Sequence, residues 1–183
     1  MKKLFTDIET KKAIWLGTIC SISYLVVYIA RNILSAVTPQ MTGDGSFTAE
    51  SIAAFSSAFF MCYAIGQLIN GIVGDKIKAK YMMGVGLLLA GGANVIFTEF
   101  AAYKMATILS YSALGFFLSM IYAPMTRLVA ENTTPIYATR CSVGYSFAAL
   151  LGSPIAGLFA IFLSWKGVFS LGSSLLILMG VAL

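Results

Sequence analysis

Arg31 is the one charged side chain set inside a long apolar run, within "SYLVVYIARNILSAVTP" from Ser23 to Pro39. An isolated guanidinium in hydrocarbon costs at least ~2.5–3.5 kcal/mol on insertion scales, so it needs water, a partner or a route out. In a helix, Ser21, Tyr24, Tyr28, Arg31 and Ser35 fall at i, i+3, i+7, i+10 and i+14 and share one stripe. Leu25, Val26, Ile29, Ile33 and Val37 lie mainly elsewhere. The next apolar run repeats the pattern, with Ser56, Tyr63, Gln67 and Asn70 on a stripe shared with Phe60 and Gly74. Two polar stripes with apolar backs predict a hydrated cavity between helices.

The chemistry that suits such a stripe is recognition of an oxyanion. The planar guanidinium offers paired hydrogen bonds to a carboxylate or phosphate, and phenol hydroxyls add donors. Asp75, Glu99 and Glu131 all stand at run ends, so no mid-run carboxylate neutralises Arg31. Its counter-charge is then a bound substrate or a residue outside this chain. The alternative is a snorkelling arginine: at ~1.5 Å per residue, about 10 Å separates it from the boundary near Thr38. The stripe on its own helix favours the cavity.

Catalysis has little to work with. The chain has no histidine, which removes the commonest general base and metal ligand, and no carboxylate pair within a run. Cys20, Cys62 and Cys141 show no framework spacing and read as packing residues. The reading is a non-enzyme with no metal and no cofactor.

The elements that position these residues follow from composition. Apolar residues make up 59% of the 183-residue chain, charged residues 10%, and mean hydropathy is +0.89. A soluble domain carries about 25% charge; this chain is built for a lipid bilayer. Six runs approach the ~20 residues that cross the hydrocarbon: Ala13–Val37, Ser51–Val73, Tyr81–Thr98, Met105–Met125, Cys141–Leu163 and Val168–Leu183. Helices satisfy their own backbone in lipid, so the expected fold is all-α, a bundle of six transmembrane helices (13–183) behind an N-terminal segment (1–12). The first run is too long for a signal-peptide core and reads as a retained helix.

Basic residues set the orientation. Lys2, Lys3, Lys11, Lys12, Lys76, Lys78, Lys80, Arg127 and Arg140 flank one side, and Lys104 and Lys166 the other. Nine against two places the N-terminus in the cytoplasm by the positive-inside rule. The net charge of +5 is therefore topological and calls for no nucleic-acid partner. The last run ends at Leu183 without a polar flank, which leads us to expect a longer chain.

A second feature lies in "NGIVGDKIKAKYMMG". Asp75 ends the second helix, where the dipole disfavours a carboxylate. Arg127 is its best partner within the chain; the alternative is a solvated acid among lysines. Gly71 and Gly74 leave room for another helix to approach. In the fifth run Gly144, Ala148, Gly152 and Ala156 recur every four residues, a seam for tight helix packing.

Gly71, Asp75, Lys76 and Lys80 in "GIVGDKIKAK", with "PMTRLVAE" and "SWKGVF", resemble the N-terminal half of a major facilitator superfamily transporter; Lys78 and Ala79 depart from its signature. Within the superfamily, "YIARNILSAVTP" and "IYAPMTR" resemble the organophosphate:phosphate antiporters, with Arg31 and Tyr28 matching the arginine that binds substrate phosphate and the tyrosine before it. Gln67 and Ala149 stand where that family's glycerol-phosphate carriers have a lysine and a histidine, so the site is less crowded with positive charge. The resemblance implies a secondary transporter of a small organophosphate by phosphate exchange, in a plasma or inner membrane, with a second six-helix half to follow. Tyr24, Tyr63 and Gln67 would join Arg31 and Tyr28 at the substrate. Gly71, Asp75, Lys76, Lys80 and Arg127 would form a conformational latch. A membrane-embedded sugar-phosphate sensor, or a carrier of a neutral solute or drug with a structural Arg31, are the alternatives.

Overall fold

The computed structural model describes residues 2–183, with side chains from Glu9 onward. Seven helices follow in chain order: α1 (Lys2–Gly43), α2 (Ala49–Gly74), α3 (Ala79–Glu99), α4 (Lys104–Leu118), α5 (Tyr122–Asn132), α6 (Pro135–Phe162) and α7 (Trp165–Ala182). They make six spans long and apolar enough to cross a membrane, because α4 and α5 share one, Lys104–Asn132. The described residues contain no strand.

Local sequence explains the ends. Thr48 caps α2 by accepting the Ser51 amide at 3.2 Å, and Ser164 caps α7 by accepting that of Gly167 at 3.4 Å, each filling one of the donors a helix start leaves open. Pro135 stands in the first turn of α6, where its missing N–H costs nothing. At ~1.5 Å per residue α1 is about 63 Å long, so it projects well beyond the hydrocarbon.

Two features differ from the sequence reading. The fourth span was expected as one helix, Met105–Met125, but it breaks at Ser119–Ile121. Pro124 has no N–H to give the carbonyl of Met120. The backbone tightens there, Met120 donating to Phe117 at 3.1 Å. Asn70 was placed on the polar stripe of the second span, yet it is buried and donates to the Ser119 hydroxyl at 2.7 Å. It braces α2 against this break.

Around these points α1 packs along α6, α2 along α4, and α3 along α7. The α1–α6 contact follows the small-residue seam. A Cβ on Gly152 would lie 2.5 Å from Tyr28 Cβ and 2.8 Å from Tyr28 C, and one on Gly144 would lie 3.0 Å from Ser21 Oγ. Ala148 and Ala156 are buried in the same contact line. Between α3 and α7, Asn94 donates to the Phe169 carbonyl at 3.1 Å. An aromatic core spans α2, α3, α4 and α7, with Phe97 at 4.6 Å from Phe169, 5.0 Å from Tyr111 and 5.9 Å from Phe55, centroid to centroid.

The end of the bundle near Gly43 is closed by polar clasps. Gln40 donates to the Ala160 and Leu163 carbonyls at the end of α6. Asp44 accepts the Ser46 amide at 2.9 Å and the Trp165 indole N–H at 3.0 Å. Hydrogen bonds from Ser46, and then from Trp165, hold the Asp44 carboxyl below the usual carboxylate range. A lowered folded-state value means that its stabilisation is complete above the ordinary carboxylate value and fades as pH falls through the lowered one. Acid titration of the purified protein should therefore shift Trp165 fluorescence below that range, and Asp44→Asn should remove the transition. An acid-induced shift that survives Asp44→Asn would refute the assignment.

Candidate functional site

Arg31 is half-buried on α1 and its guanidinium lies among three rings. Its Cζ is 4.9 Å from the Tyr63 centroid, 5.3 Å from that of Phe60 and 5.5 Å from that of Tyr28. Aromatic faces carry negative charge that attracts a cation, so the rings hold the head group without satisfying its N–H donors. No hydrogen bond or ion pair links Arg31 to any described residue. One side of the cluster is open: Phe60 is 50% exposed and Ser35 is exposed. Gln67 is half-buried one turn beyond Tyr63 on α2, its amide also without a partner among the described residues.

Tyr24 is buried beneath this cluster. Its ring is 4.8 Å from Tyr28, 5.6 Å from Tyr122 and 6.0 Å from Tyr145. Thus α1 and α2 supply the rings around the cation, and α5 and α6 supply Tyr122 and Tyr145 against the Tyr24 ring. Sequence reasoning named Arg31, Tyr28, Tyr24 and Tyr63 and missed Tyr122 and Tyr145. Tyr122 comes in because the chain restarts as a helix there, a turn that Pro124, two residues on, marks in the sequence. Tyr145 sits on the α6 seam, and its hydroxyl is 2.7 Å from that of Ser142.

What the cluster can do chemically is bind an anion. A half-buried, hydrogen-bond-hungry fork lies among rings beside the exposed Phe60 and Ser35, and no carboxylate of the described residues pairs with it. Among the described residues no group of histidine, cysteine, aspartate or glutamate could hold a metal, and all three cysteines are free thiols.

The second set of residues lies at the C-terminal end of α2. Arg127 of α5 donates to the Gly74 carbonyl and, at 2.7 Å, to the Ile77 carbonyl. Its guanidinium is 4.0 Å from Asp75 and 3.3 Å from Glu131. Arg127 thus answers the dipole at the end of α2 mainly by capping the Gly74 carbonyl there and the Ile77 carbonyl just beyond it, with Asp75 at the edge of ion-pair range. Gly71 and Gly74 were expected to admit a close helix. A Cβ on Gly71 would meet nothing within 4 Å, and one on Gly74 only ordinary contacts with Met82 and Pro124. A hollow of about 330 Å³ lies there instead, lined by Gly71, Asp75, Pro124 and Arg127 among others. Lys76 and Lys80 are exposed and make no contact with it.

Comparison with known proteins agrees with this architecture. The membrane sensor protein UhpC of Salmonella typhimurium is 32% identical over 84 residues, 46% of this chain and 18% of its own length. A probable hexose phosphate transport protein of Chlamydia pneumoniae is 22% identical over 166 residues, 88% of this chain and 36% of its own length. The glycerol-3-phosphate transporter of Bacillus subtilis is 23% identical over 156 residues, 81% of this chain and 35% of its own. The chain therefore spans about a third or less of the length of these relatives. Residues 20–183 match the family described as Major Facilitator Superfamily, and with nearly the whole chain inside that match, this six-span helical protein belongs to the Major Facilitator Superfamily.

Proposed function

We propose that this chain forms the N-terminal half of a secondary transporter that exchanges a small organophosphate, of the sugar-phosphate type, for inorganic phosphate. The observation that carries the reading is Arg31: a guanidinium with no anionic partner among the described residues, ringed by Tyr28, Phe60 and Tyr63 on an open face. Relatives named for hexose phosphate and glycerol-3-phosphate transport support the substrate class.

Physical chemistry links this arginine to exchange. Closing a site over an uncompensated guanidinium takes a charge out of water, an effective penalty of roughly several kcal/mol. A bound phosphate or phosphate ester removes that penalty. The loaded form crosses readily and the empty form does not, so inward and outward movements become coupled. Tyr24, Tyr28, Tyr63 and Gln67 would line the site beside Arg31, with a second six-helix half closing over it near the mid-membrane. Gly71, Asp75, Lys76, Lys80 and Arg127 would serve as the latch on the cytoplasmic side of the plasma or inner membrane, together with the N-terminus.

The experiment is counterflow in reconstituted vesicles. Phosphate-loaded vesicles should take up labelled sugar phosphate, unloaded ones should not, and external phosphate should compete. Uptake indifferent to phosphate on either side would favour a neutral-solute carrier. A second reading, a sugar-phosphate sensor, is favoured by the 32% identity to UhpC; saturable binding without flux would select it.

A further inference from the structure

A further groove lies apart from the rings around Arg31. It lies between the lysine-rich end of α1 and the start of α6, has a volume of about 420 Å³, and is lined by Thr10, Ile14, Thr18, Ile22, Tyr137 and Arg140 among others. At about 100° per residue, Ile22 and Arg31 point to opposite sides of α1. The α1 wall looks outward: Ile14 is 62% and Ile22 47% exposed.

The groove is graded along its length. From Thr10 to Ile22 it runs about 18 Å along the helix. At one end stand Thr10, Tyr137 and Arg140, with the Thr10 and Tyr137 hydroxyls 2.7 Å apart. At the other, Ile22 and Gly144 leave an apolar floor. Arg140 is exposed, and its guanidinium lies 5.7 Å from the Tyr137 centroid. It makes no hydrogen bond or ion pair with any described residue. Nearby, Lys12 donates to the Asn132 side chain at 3.1 Å, and Arg140 is a cation that lines the groove.

We infer that this groove is a site for an anionic phospholipid, its phosphate on Arg140 and an acyl chain along Ile14, Thr18 and Ile22. The charge and the shape both specify that occupant. The free guanidinium calls for a negative head group, the apolar floor calls for a hydrocarbon tail, and the exposed Ile14 and Ile22 leave the groove open along its α1 side. The surrounding lysines, Lys11 and Lys12 among them, raise the local concentration of anionic lipid at that end of the bundle.

Trp15, beside Ile14 and 65% exposed, supplies a reporter. The protein is reconstituted into phosphatidylcholine vesicles containing a minority of phosphatidylglycerol, with bromine on the acyl chains of one lipid or the other. Subtracting the signal of Trp15→Phe isolates the quenching at that position. Brominated phosphatidylglycerol should quench as though enriched about fivefold over its bulk share, the effect of one cation near the surface. Arg140→Gln should return quenching to the bulk share, and Arg140→Lys should keep most of the enrichment. Far-UV circular dichroism checks that the variants stay helical. Equal quenching by the two lipids in the unaltered protein would overturn the site, as would enrichment that survives Arg140→Gln. Loss of enrichment on adding millimolar inorganic phosphate would assign the cation to free phosphate and overturn the lipid reading as well.

Discussion

Arg31→Ala is expected to lower phosphate-coupled exchange by about thirtyfold or more while leaving membrane insertion intact. Truncating one member of a desolvated, hydrogen-bonded charge pair costs about 2–5 kcal/mol, and no other cation of the described residues lies over the rings around Arg31. The fold should not suffer, because the guanidinium bonds to nothing among the described residues and its removal leaves the rings of Tyr28, Phe60 and Tyr63 in contact with their own helices. Arg31→Lys should recover only part of the activity. It keeps the charge and loses the planar fork. The two variants are compared by counterflow at matched protein density, with helicity measured alongside. Undiminished exchange by Arg31→Ala would end the anion-site reading and leave the arginine a structural role.

The second large effect is on stability. Gly152→Leu should prevent α1 and α6 from closing, because its Cβ would sit 2.5 Å from Tyr28 Cβ, 2.8 Å from Tyr28 C and 3.1 Å from Ile29 N. Two of these three neighbours are main-chain atoms, which cannot swing aside as a side-chain tip can. Even Gly152→Ala should cost about 1–3 kcal/mol, the usual range for overpacking, and leucine more. Gly157→Ala, five residues along the same helix with nothing within 4 Å of its added Cβ, serves as the control and should melt with the unaltered protein. Thermal unfolding in detergent, followed by circular dichroism, reads both. A Gly152→Leu protein that melts at the unaltered temperature would show that the two helices can separate freely.

The sequence carried the number of spans and the company of Arg31, because both rest on periodicity. Long apolar runs have one solution in lipid, and polar residues spaced by three and four must share a helix face. Asp75 was also legible through the dipole it ends, and Arg127 does lie beside it. The rest depended on contacts between helices, which no single-helix period encodes. Asn70 has the spacing of the Arg31-facing stripe, yet the break in the fourth span offers Ser119 as its partner. Arg127 was read for its charge, while its shortest bonds go to the Gly74 and Ile77 carbonyls. Tyr122 and Tyr145 reach Tyr24 only because α5 and α6 converge on α1.

The meeting of Gly152 with the Tyr28 backbone also governs how the molecule can move. With no layer of long, yielding side chains between them, α1 and α6 cannot shear past one another at this point. The pair must travel as one strut, and Arg31, a turn from Tyr28, travels with it. The anion would then meet the same rigid wall whichever side of the bilayer is open. If the chain carries cargo as proposed, discrimination between one cargo and another would come from the surfaces that close against that wall.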